Sequence, residues 1–69
     1  MNEQKKITVN LPKNTASALD NIVKNKHMKQ SDAVRHSIEL TEYLQEEVSK
    51  GSKILIRDAE GNFREIYFK

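Results

Sequence analysis

The stretch Lys5-Lys6-Ile7-Thr8-Val9-Asn10-Leu11-Pro12 limits the possible folds more than any other part of the chain. Ile7, Val9 and Leu11 alternate with Lys6, Thr8 and Asn10, which is the two-residue period of a strand with one apolar and one hydrogen-bonding face. Pro12 ends the run, because it has no N–H to continue a ladder and its fixed φ suits the first turn of a helix. A strand needs a hydrogen-bonded neighbour, yet the next candidate strand begins about forty residues later, beyond two helix-like segments. Pairing with the same segment of a second copy, as a two-stranded antiparallel ribbon, resolves this. Dimerisation is then expected to be part of folding.

Composition agrees with that expectation. A chain of 69 residues forms one small domain and buries a small share of its surface when alone. It has no cysteine and no Cys/His cluster suited to zinc, so oligomerisation is the support left to a fold this small. No apolar run approaches the roughly 20 residues that span a bilayer, and the N-terminus has no signal-peptide pattern. The expectation is a soluble, cytoplasmic protein without membrane contact. Net charge is only +2, but it is unevenly spread: +4 over residues 1–29, −3 over 30–51 and +1 over 52–69. A basic leading third beside an acidic middle suggests a positive face and a negative back.

In chain order, Met1 to Gln4 reads as a polar arm, with Lys5 next to it. From Asn14 to Lys26, Ala16, Leu19, Ile22 and Val23 recur at helical spacing. His27 and Met28 mark a corner. Ser31 to Lys50 reads as a longer helix with a stripe of Val34, Ile38, Thr41, Leu44 and Val48, widened by Ala33 and Ser37. Leu40 and Tyr43 lie off that stripe, so this helix is expected to be covered on more than one side. Gly51 is a natural C-terminal stop. Residues 52–69 change period again: Ile54 to Arg57 and Phe63 to Phe68 flank Asp58-Ala59-Glu60-Gly61-Asn62, which suits a type I turn with a glycine bulge. The register that follows opposes Ile54 to Ile66 and Ile56 to Arg64. It gathers Ile54, Ile56, Ile66 and Phe68 on one face that needs covering.

The alternating strand closed by proline, followed at a fixed distance by Gln30-Ser31-Asp32-Ala33-Val34-Arg35 at the head of a second helix, resembles the ribbon-helix-helix DNA-binding family, the class of the Arc, MetJ and CopG repressors. The resemblance covers residues 5 to 48. It implies a mostly α fold with β: a ribbon-helix-helix homodimer, with an intermolecular antiparallel ribbon and two helices per chain, over residues 1–51. The hairpin of residues 52–69 is an addition, packed on the dimer or on a partner protein. It further implies that Lys6, Thr8 and Asn10 touch base edges in the major groove of double-stranded DNA, where each two-pronged contact discriminates by ~1–3 kcal/mol. Lys5, Lys29, Gln30 and Ser31 would contact phosphates, the last three at the N-terminus of the second helix. Ile7, Val9, Leu11, Val34, Ile38 and Leu44 would form the dimer core. The turn departs from the family pattern, with His27 where glycine is common and Lys29 where a serine or threonine cap is common.

The resulting expectation is a transcriptional repressor that needs no cofactor or metal and whose dimers pair into tetramers on DNA. The alternative is an antitoxin or other interaction module whose C-terminal segment binds a protein. The turn chemistry of a preformed hairpin favours the repressor, because an antitoxin tail is usually disordered until bound. Single-stranded RNA binding would call for aromatics on the reading strand, and there are none there. His36 and Glu39 sit one helical turn apart without a third ligand, and no nucleophile or phosphate-loop motif is present, so no enzymatic activity is expected.

Overall fold

A computed structural model describes residues 4–68; Met1 to Glu3, most of the expected arm, and Lys69 lie outside the described residues. The chain is a small α+β protein, with helix α1 (Lys13–Lys26), helix α2 (Gln30–Ser49) and strands β1 (Ile54–Arg57) and β2 (Phe63–Ile66) in one antiparallel sheet. It divides into two compact units, Met1–Ala33 and Val34–Lys69.

In the first unit, residues 4–12 are neither helical nor part of a sheet. A strand is defined by its neighbour, and one copy of this chain supplies none. Pro12, at φ −57° and ψ 158°, caps α1 with its backbone: its carbonyl accepts from the Ala16 N–H at 2.9 Å, and no side chain caps the helix. Ala16, Leu19 and Val23 are half-buried, as the helical spacing predicted, whereas Ile22 of the same stripe is exposed, and Ala33 is the one fully buried residue among the described residues. α1 stops at His27, which adopts the left-handed conformation, φ 51° and ψ 44°. Both the His27 and Met28 N–H groups turn back to the Val23 carbonyl, the latter at 3.3 Å. This is the geometry glycine normally supplies, because a Cβ is crowded there. Lys24 and Lys26 in the last turn complement the negative end of the helix.

In the second unit, α2 ends in a Schellman turn. The Gly51 N–H donates to Val48 O at 3.0 Å and the Ser52 N–H to Glu47 O at 3.0 Å, with Gly51 at φ +98°. The Ser52 hydroxyl also bonds the Glu47 carboxylate at 3.0 Å, and Lys50 Nζ lies 3.8 Å from it. The hairpin has the register expected from its sequence: Ile54↔Ile66, Leu55↔Glu65, Ile56↔Arg64 and Arg57↔Phe63. Its turn is organised by Asp58. The Asp58 N–H donates to Asn62 O at 2.9 Å and Asp58 O accepts from the Gly61 N–H at 3.0 Å. Asp58 Oδ1 accepts from the N–H groups of Glu60 and Asn62 at 3.0 and 2.9 Å. Gly61 at φ +88° provides the left-handed residue of the bulge. The two helices begin one residue earlier than the periodicity indicated, and α2 ends one earlier; end turns are held by few hydrogen bonds and are the least defined part of any helix.

Candidate nucleic-acid interface

Lys5, Lys6, Thr8 and Asn10 are exposed, and so are the apolar residues between them: Ile7 at 66%, Val9 at 68% and Leu11 at 42%. The whole segment is therefore open to solvent and joins no sheet. Three apolar side chains in alternation cannot be rationalised as a solvated loop, because leaving them in water forgoes the largest favourable term in folding. The polar set on the opposite side offers an ammonium, a hydroxyl and an amide. These groups have the donor and acceptor types that read base edges.

The other expected contacts sit in the same unit. Lys29, Gln30 and Ser31 are exposed at the start of α2. Lys29 closes the helix with its carbonyl, which accepts from the Ala33 N–H at 3.0 Å, and its side chain has no acceptor to cap the first turn. The first backbone N–H groups of a helix have no partner within it, so this end offers donors and a positive partial charge beside the Lys29 ammonium. Asp32, in the first turn, is half-buried and has interactions of its own.

Of the residues expected in a dimer core, Ile7, Val9, Leu11, Val34 (41% exposed) and Ile38 (61%) are uncovered, whereas Leu44 is half-buried. Leu40 and Tyr43, off the main stripe, are exposed as well. Along α2 runs an open groove of about 330 Å³ lined by Ser37, Ile38, Thr41, Glu42 and Gln45. Ser37, Ile38 and Thr41 were legible from the helical stripe. Glu42 and Gln45, at i+4 from Ile38 and Thr41, were not singled out, since a polar residue at the edge of a stripe looks like ordinary surface. His36 and Glu39 are exposed, and no group of three metal-ligating residues occurs among the described residues. No helix among the described residues is long and apolar enough to cross a membrane. No family model, no curated protein and no solved structure matches the chain.

Proposed function

We propose that this protein is a homodimeric, sequence-specific double-stranded DNA-binding repressor, in which two copies of Lys6–Leu11 pair as a ribbon that enters the major groove. One observation carries the reading: a segment whose sequence alternates apolar and base-compatible side chains is exposed and joins no sheet among the described residues. Pairing it with its symmetry mate satisfies the backbone and buries Ile7, Val9 and Leu11 on the inner face. The same pairing presents Lys6, Thr8 and Asn10 twice on the outer face. Lys5 and the start of α2, at Lys29, Gln30 and Ser31, then supply phosphate contacts that hold the ribbon in register. Such a protein acts by occupying promoter DNA in the cytoplasm, as a binding protein and not a catalyst.

The alternative reading, an antitoxin or other interaction module, draws on residues 52–69. The hairpin is already formed within the single chain, unlike a tail that orders only on binding its partner, and this places the alternative second. Titration of the purified protein against the DNA upstream of its own gene and against a scrambled duplex, at two salt concentrations with the solution mass measured in parallel, separates the two. A dimer that prefers the native DNA and loses affinity steeply with salt is the expected result. A dimer without preference moves the function to a protein partner, and a folded monomer removes the ribbon altogether.

A further inference from the structure

Helix α2 carries apolar side chains on two sides. Val34 and Ile38, assigned above to the dimer core, lie about 120° and 160° around the helix from Leu40, at about 100° per residue. Leu40 is 58% and Tyr43 60% exposed, on a strip that this core does not include. The strip consists of His36, Leu40, Tyr43 and Glu47, spaced four, three and four residues apart and confined to an arc of about 60°. Such intervals stack side chains along one side of a helix and form the seam between paired helices. His36 is exposed and Glu47 half-buried. The Glu47 carboxylate is held by the Ser52 hydroxyl, 3.0 Å from one oxygen, and by Lys50 Nζ, 3.8 Å from the other. A carboxylate has lone pairs enough to accept a further donor.

The spacing reads the same in both directions. The pair His36 and Glu47 is centred on the same point of the helix as the pair Leu40 and Tyr43. When two copies of α2 cross antiparallel about a twofold axis at that point, Leu40 meets the partner's Tyr43 and His36 meets the partner's Glu47, each contact occurring twice. Apolar groups then face apolar groups, and an imidazole N–H faces a carboxylate. A parallel crossing would instead set Glu47 beside the partner's Glu47. This internal match is what selects a second copy as the occupant. Glu39 and Glu46 border the strip on its polar side, and their repulsion across the crossing limits its strength, which suits a contact between dimers better than one within a dimer. We propose that the strip is a second self-association surface, through which two homodimers meet by an antiparallel α2–α2 contact. This inference rests on the homodimer reading above. Each dimer carries the strip twice, so the contact can close on four chains or continue to further dimers.

The chain has no native cysteine, which makes cross-linking unambiguous. His36→Cys and Glu47→Cys chains of different mass are mixed, refolded together and oxidised, and both the covalent pairs and the native particles are weighed. The expected product is the mixed disulfide, in excess over both same-position disulfides and in particles of four or more chains. Same-position disulfides in excess, a statistical mixture or no disulfide would overturn the inference. So would a mixed disulfide inside a two-chain particle, which would move the strip into the dimer itself. Two-chain particles in any of these results leave the homodimer reading standing, whereas monomers alone would remove both. As an independent readout, Leu40→Ala takes three carbons from each of two sites and should raise the dissociation constant of the four-chain particle about tenfold or more. The two-chain dissociation constant should stay within about twofold in sedimentation equilibrium, since Leu40 is outside the dimer core. A variant that falls apart to monomers would count against the assignment.

Discussion

Replacing Val9 by Ala tests the paired ribbon without any DNA. The change removes two methyl groups, worth ~0.8 kcal/mol each when fully transferred from water. Val9 is 68% exposed in the single chain, so that share of its surface is still available for burial. The loss is therefore about 1 kcal/mol per copy and about 2 kcal/mol per dimer, because both chains carry the substitution. A shift of that size raises the dimer dissociation constant about thirtyfold. Sedimentation equilibrium over a dilution series reads it directly. Asn10→Ala is the internal control: it lies one residue along, on the opposite face, and should leave the dissociation constant within about twofold, since Asn is itself a poor strand former. Equal shifts for the two variants would refute the alternation on which the ribbon rests. A protein that stays folded and monomeric at all concentrations would refute the dimer.

On DNA the ranking of variants should differ. Asn10→Ala is expected to weaken binding to the operator by ~1–3 kcal/mol with little change on random duplex, whereas Lys29→Ala should weaken both equally and reduce the salt slope by about one, read by titration at several ionic strengths. His27→Gly should stabilise the protein by about 0.5–1 kcal/mol, because the left-handed conformation costs a Cβ that glycine lacks; a lower melting temperature for this variant would mean that the imidazole makes a contact outweighing the strain. Gly51→Ala and Gly61→Ala should each destabilise by about 1 kcal/mol for the same conformational reason, since a Cβ at either position meets nothing within 4 Å. Asp58→Ala removes the acceptor for two turn N–H groups and should cost about 1–2 kcal/mol of hairpin stability, visible as faster amide exchange at Glu60 and Asn62.

The helices and the hairpin were legible because their determinants are local. The 3.6-residue spacing of Ala16, Leu19 and Val23 needs only one turn of chain to express itself, and all three are half-buried. The Ile54↔Ile66 register follows from the length and residue types of the Asp58–Asn62 turn, whose hydrogen bonds all close within five residues. His27 was legible only as a departure from a glycine. That it enters the left-handed region, instead of extending or shortening α1, is settled by the two N–H groups that converge on Val23 O, a balance of about 1–2 kcal/mol against about two hydrogen bonds. The candidate interface was legible as a pattern in Lys5 to Leu11 and as a helix start at Lys29 to Ser31.

Residue order by itself thus decided where the helices lie, to within one residue at their ends, and how the hairpin is registered. Each of these depends on bonds and spacings a few residues long. Only the tertiary structure decided which apolar residues a single chain can cover. It closes fully over Ala33 and leaves Ile7, Val9 and Ile38 more than half exposed. Burial depends on what distant segments can reach, and no local rule carries that information.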